Sequence, residues 1–351
     1  MRSETLRPDG HDHRHALRVA AGLAVPGMVL LIAGRPDLMV YAAFGSFAGM
    51  YGRTDIGATR LRQQLEAACL LTAGVVIGVL LSAWTVSGWV LVAVGSTFAA
   101  LSSLLADRLR LRPVGPFFFL FALGATATVP PSLVAPAVAI GICAATAALA
   151  VAIGLIGVPR EGPSREVRRL PRGACVHAVR YAVAVGAAGA LGMVFGFDHA
   201  NWAMAAAAVP LGAMDVGRPS EGEVRLVLVR AIHRVVGTAA GLVVAAALLA
   251  ADLGPSALAA LMMALLFPTE LFMTRHYAVA IGFFTPLIML MTELADPSDP
   301  AVLLTARGWD TLIGVVTGVV VVVAIRGHRR SSSPLPSSNP AGRRRAIGLN
   351  A

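Results

Sequence analysis

The sequence predicts an all-α polytopic membrane protein of about twelve transmembrane helices, set out as two parallel six-helix repeats. Three observations predict it. The 351 residues are 57% hydrophobic and 14% charged, where average usage is about 45–50% apolar and about 25% charged. Mean hydropathy is +0.74. Apolar runs recur along nearly the whole chain, and arginines collect in the short gaps between them. Such a composition excludes a disordered chain and argues against a soluble globular enzyme.

Twelve apolar segments lie at about 16–34, 37–52, 65–85, 88–106, 114–130, 132–157, 176–197, 200–216, 232–251, 255–273, 277–294 and 309–326. Roughly 17–25 residues cross the hydrocarbon core, so most fit, while the second and eighth are short. Backbone polar groups in lipid must pair internally, which makes these runs helices. A barrel would alternate polar and apolar residues. The domains that follow are a basic, His-rich cytoplasmic tail (1–15), a first repeat (16–157), a basic linker (158–175), a second repeat (176–326) and a disordered basic tail (327–351). A cleaved signal peptide is not expected, because the first run exceeds signal length and further spans follow.

Orientation comes from the gaps. Net charge is +10 from 29 basic and 19 acidic residues, and every basic residue is arginine. The arginines form no single basic domain, so no nucleic-acid partner is expected despite a pI near 11.0. The N-terminal side takes Arg53, Arg60, Arg62, Arg108, Arg110, Arg112, the linker arginines, Arg180, Arg218, Arg225, Arg230, Arg234 and Arg275. The opposite side takes only Arg35 and Arg307, with Asp37, Asp198, Asp252, Glu293, Asp296, Asp299 and Asp310. Positive-inside bias makes the N-terminal side cytoplasmic, with both termini inside. Trp84, Trp89, Trp202 and Trp309 fall at the expected outer ends, where indole prefers the interface.

The halves repeat at an offset of about 163 residues: Gly74-Val-Val-Ile-Gly78 matches Gly237-Thr-Ala-Ala-Gly241, and Arg62 falls opposite Arg225. Six spans per half make the repeat parallel, with its axis along the membrane normal. Cys69, Cys143 and Cys175 have no metal or disulfide spacing and read as small buried residues. The run His11, Asp12, His13 and His15 reads as a solvated tail.

Arg230-Ala-Ile-His-Arg234-Val-Val-Gly-Thr238-Ala-Ala-Gly241 resembles the signature of the integral membrane bound transporter domain, and Arg307-Gly-Trp-Asp-Thr-Leu-Ile-Gly314 is similar to its last-helix pattern. On these motifs the chain resembles the fusaric acid resistance, or aromatic acid exporter, family. The first half departs from the pattern, with Ala67 opposite Arg230. The large cytoplasmic domain of many members is replaced here by a short linker. The resemblance implies a membrane transporter that exports aromatic or other small organic acids.

Arg230 and Arg234 share one helical face at the inner end of the ninth span. They read either as attracting an organic anion or as topology-setting residues that snorkel to headgroups. Thr238 belongs to a small-residue packing face with Gly237 and Gly241. Glu270 reads either as a proton carrier or as an interfacial partner of Arg275. Asp310 beside Arg307 reads as an ion pair at the outer surface. Short, interrupted helices mark candidate binding sites: Tyr41 and Phe44 in the second span, Asn201 in the eighth, Phe117 in the fifth, Phe284 and Pro286 in the eleventh. Aromatic faces suit a flat acid, and equally suit core packing. No phosphate loop, HExxH or GxSxG motif occurs, so neither an enzyme nor a cofactor is expected. The expected function is proton-driven efflux of a small organic anion, with an anion channel or a non-transporting scaffold as alternatives. Partners are the bilayer, the anion and a second copy of the chain.

Overall fold

The computed structural model describes residues 10–156, 170–196, 200–214 and 223–325. Residues 1–9, most of the expected linker, Asp198, Arg218 and the tail 327–351 lie outside them. Among the described residues the regular structure is wholly helical: α1 (Gly10–Ile32), α2 (Met39–Ser46), α3 (Gly57–Ala83), α4 (Gly88–Leu109), α5 (Phe117–Ala127), α6 (Pro136–Gly154), α7 (Ala174–Val194), α8 (Ala200–Leu211), α9 (Glu223–Ala250), α10 (Pro255–Phe272), α11 (Tyr277–Ala295) and α12 (Pro300–Ala324), with 3-10 turns at Pro36–Leu38 and Phe47–Met50 flanking α2. Proline opens α6, α10 and α12, where its missing N–H costs nothing. Asp299 caps α12 by accepting from the Ala301 amide at 2.8 Å.

Nine of these helices are long and apolar enough to cross a membrane, which makes the chain a polytopic membrane protein in contact with the bilayer. The other three are shorter, so twelve spans are not reached by length and composition among the described residues. α2, α5 and α8 have only 8, 11 and 12 residues. At 1.5 Å per residue they reach about 12–18 Å, well short of a core of about 30 Å. They persist because protein encloses them. Every residue of α2 and α8 is buried, as is α5 from Phe118 to Thr126. Short helices and irregular backbone survive at membrane depth only where protein rather than lipid surrounds them.

These three helices and α11, the most enclosed of the long ones, form the centre. α3 packs on α5, α9 on α11, α6 on α2 and α12 on α8. α4 meets α7, α1 meets α10, and α5 and α2 meet α8 and α11. Glycine permits the closest of these contacts. A Cβ on Gly74 would stand 2.6 Å from the Phe119 carbonyl oxygen, and one on Gly241 would stand 2.6 Å from Thr285 Cβ and 2.8 Å from the Gly282 oxygen. The motif at 74–78 and 237–241 is thus a packing face in both places.

Several boundaries differ from the sequence reading. α1 begins at Gly10, so His13 and His15 are helical, and Asp12 and His15 are buried rather than in a solvated tail. α9 begins at Glu223 rather than 232, and α12 at Pro300 rather than 309. Cys143 is buried, but Cys69 and Cys175 are exposed. Trp84, Trp89 and Trp309 are exposed, whereas Trp202 is buried.

Gly241→Val is expected to lower stability by about 1–3 kcal/mol through overpacking at α11. Gly141→Ala, where a Cβ meets nothing within 4 Å, is the matched control. Thermal unfolding in detergent should show a drop in Tm for the first and none for the second.

Candidate functional site

The site is built on α9 and α12. Because α9 starts early, Arg230 and Arg234 stand about 10 and 16 Å along it. Arg234 is 1% exposed. Its guanidinium lies 5.2 Å from the Phe117 ring centroid, and its Nε and Nη1 have no hydrogen-bond partner. Arg230 is half-buried with its guanidinium 3.4 Å from the Tyr277 centroid. One turn beyond Arg234, the buried Thr238 hydroxyl is also unpartnered.

Arg307 and Asp310 correct the sequence reading. An ion pair at the outer surface was expected, because the helix was started at 309. Seven further residues of α12 precede Arg307 and carry it about 10 Å inward. Arg307 is 1% and Asp310 0% exposed. The Arg307 guanidinium lies 5.2 Å from the Trp202 centroid, and its Nε is unpartnered. Neither carboxylate oxygen of Asp310 accepts a hydrogen bond. Arg234 and Asp310 both act electrostatically on Arg307. Buried Asn201 of α8, set against Gly124 of α5, has an unpartnered side-chain amide.

Each arginine at a helix centre costs about 2.5–3.5 kcal/mol on insertion scales. An aromatic face returns about 0.5–2 kcal/mol. Among the described residues, two guanidiniums here stand with one carboxylate. Unpaired buried N–H groups at such a point are what an incoming anion would satisfy.

Of the other sequence candidates, Phe44, Phe117 and Phe284 come together. Phe44 and Phe121 centroids are 5.4 Å apart, Phe117 stacks on Phe121 at 5.9 Å, and Phe284 lies 6.2–6.3 Å from Phe117, Phe118, Phe121 and Phe47. This cluster fills the centre, and through Phe117 it touches Arg234. Tyr41 is buried one turn before Phe44, and Pro286 is buried inside α11 against Gly241. A crevice of about 20 Å³, lined in part by Val40, Thr128, Trp202, Thr292 and Asp296, sits where the ends of α2, α5, α8 and α11 converge.

Glu270 stands apart from the arginines, at the N-terminal face, and its expected partner is corrected. Arg275 donates to Asp12 at 2.8 Å, and Arg53 donates to the other Asp12 oxygen at 2.7 Å. Glu270, 3% exposed, has a carboxylate oxygen 3.9 Å from His15 Nε2, while its carbonyl accepts from Arg53 at 3.2 Å. Arg60 lies 3.3 Å from His15 Nδ1. At the opposite face Arg35 is paired with Asp37 at 2.7 Å, which raises the guanidinium's pKa through that hydrogen bond, and it also donates to the Leu133 carbonyl.

The sequence reading names Arg307, Asp310, Trp202, Asp12, Arg53 and His15 but places none of them at a buried site. The signal for the first two was present: Pro300-Ala-Val-Leu-Leu-Thr-Ala306 is apolar and opens with a helix-starting proline.

The described residues thus form a helical membrane bundle with buried arginines among its helices. Residues 186–321, which hold Arg230, Arg234, Glu270, Arg307 and Asp310, match the model of the family described as fusaric acid resistance protein-like. The resemblance read from the two motifs is met over these residues. An uncharacterized membrane protein, YvaC, of Bacillus subtilis (strain 168) is 30% identical over 163 residues, or 46% of this chain. The chain spans only 24% of that relative's length. No solved structure matches the chain.

Asp12→Asn is expected to remove charge from two hydrogen bonds at once and to lower stability by about 2–3 kcal/mol. Hydrogen exchange should then speed up in the first turns of α1 and in the Arg53 loop, with no change at α12.

Proposed function

We propose that this chain is a secondary transporter that carries small organic acids, aromatic ones among them, outward across the plasma membrane of a bacterium. The observation that carries the reading is the pair Arg234 and Arg307, fully buried with N–H groups unpaired and, among the described residues, Asp310 as the acidic group acting on Arg307. A carboxylate accepts from guanidinium edges in bidentate fashion, so one monovalent anion completes the charge. The match to the fusaric acid resistance protein-like family supports the same reading.

The drive is the proton gradient, and Glu270 with His15 is the proton-carrying pair. Both are buried beside the α1–α10 contact, where a change in charge would bear on how these helices meet. Both termini lie on the cytoplasmic side, in keeping with the arginine-rich gaps. The two halves form a parallel repeat. Supporting it, α3 on α5 is mirrored by α9 on α11, α2 on α6 by α8 on α12, and α4 with α7 by α10 with α1. The chain acts without a cofactor and is not an enzyme.

The test is flux of a panel of aromatic carboxylates in proteoliposomes, with and without a pH gradient, at fixed membrane potential. Arg234→Gln and Arg307→Gln should each lower saturable flux about tenfold or more, which corresponds to about 1.4 kcal/mol per decade. Glu270→Gln should retain flux and lose its dependence on the gradient. Unchanged flux in both arginine variants would overturn the reading. Current that rises linearly with the gradient, without saturation, would place an anion channel on this scaffold.

A further inference from the structure

A groove of about 280 Å³ runs between α9 and α12. Thr238 and Leu242 line one wall, and Leu304, Thr305, Gly308 and Trp309 line the other. It opens outward, since Trp309 and Leu312 at its rim are exposed, and on a membrane helix outward means toward lipid. Its walls are almost wholly apolar.

Three features set it apart from an ordinary furrow between helices. Thr238 lines it and is 2% exposed, and its buried hydroxyl has no hydrogen-bond partner. Gly308 keeps it open, since a Cβ there would meet only Leu242, at 3.6 Å. Both helices carry a buried arginine at this level. Arg307 adjoins Gly308, and Arg234 is one turn from Thr238.

We propose that this groove is a bilayer-side subsite for the apolar body of an amphipathic carboxylate, whose charged end reaches Arg234 and Arg307 between α9 and α12. The inference rests on the transporter reading and adds to it a place for the apolar part and a route of entry from the membrane. The volume, about 280 Å³, lies just below that of small-ligand pockets, about 300–1,000 Å³, and suits one or two rings. The lining of α12 spans residues 304–312, about 12 Å along the axis. A phospholipid chain crossing half of a core of about 30 Å would overrun it. Such a chain also brings no acceptor to the Thr238 hydroxyl and no negative charge to the arginines at this depth. A short amphipathic acid brings both, and its apolar body partitions into the bilayer beforehand.

The experiment measures flux of 2-naphthoate and of acetate by each variant in proteoliposomes, read as the ratio of the two. The series Gly308→Ala, Gly308→Val, Gly308→Leu fills the groove in steps, and the alanine is sterically tolerated. The naphthoate-to-acetate ratio should fall progressively, by tenfold or more at leucine. Thr238→Val, which keeps volume and removes the hydroxyl, should weaken naphthoate several-fold. A ratio that stays constant along the series overturns the proposal, whether both fluxes fall together or neither moves. In the second case the groove belongs to a lipid, and lipid would remain bound there in the purified protein. Arg234→Gln separates the two levels: loss of both acids upholds the transporter reading whatever the groove variants do. Full retention of both defeats that reading itself.

Discussion

The structure depends on one constraint: three helices too short to cross a membrane must have every backbone group paired or enclosed. Hydrocarbon offers no hydrogen bonds, and each unsatisfied group there costs several kcal/mol. α2, α5 and α8 therefore need a complete jacket, which the long helices supply. The jacket in turn needs faces that approach closely. Gly74 and Gly241 meet the central helices at distances that leave no room for a side chain. With lipid tails as apolar as leucine, close packing rather than water exclusion holds such faces together. The glycines and the short helices are two consequences of one requirement.

Buried polar groups fall into two kinds. At the N-terminal face, Asp12 has both oxygens engaged, by Arg53 and by Arg275, so loop and helix ends are tied by satisfied pairs. Beside that clamp, at Tyr51, Arg60 and Glu270, and again between α9 and α12, buried polar atoms stay unpaired. Arg234, Thr238, Asp310 and, on α8, Asn201 keep donors or acceptors unpaired at 2% exposure or less. A satisfied network specifies and stiffens a fold, whereas unsatisfied groups cost stability unless something pairs them.

Much of the fold was legible in the sequence because helix periodicity and hydropathy are strong local signals. All twelve apolar segments correspond to helices. What was not legible was which of them reach both surfaces. Phe117-Phe-Phe-Leu-Phe is as apolar as any lipid-facing run, and only its enclosure by neighbours shows it to be central. The ends of α9 and α12 were misplaced for a related reason. An arginine reads as the end of a span when its depth is unknown, so Arg230, Arg234 and Arg307 were assigned to helix ends. Phe44, Phe117 and Phe284 were named from the sequence as separate faces. Their convergence is tertiary information, as is the pairing of Asp12 with arginines far along the chain.

The three arginines share a local geometry that bears on what they can hold. Each lies over an aromatic ring: Arg230 over Tyr277, Arg234 over Phe117, Arg307 over Trp202. A ring stacked parallel on a guanidinium covers one face of its plane and replaces part of the water lost on burial. It does not touch the edges, where all five N–H groups point. A carboxylate binds at an edge, in the plane of the fork. The aromatic partner and an anion therefore occupy different sides of the same cation, and binding need not displace the ring. A lysine ammonium, a point charge without face or edge, would lack this division. The aromatic contacts lower the cost of the buried charge, while N–H groups of each guanidinium stay unpaired.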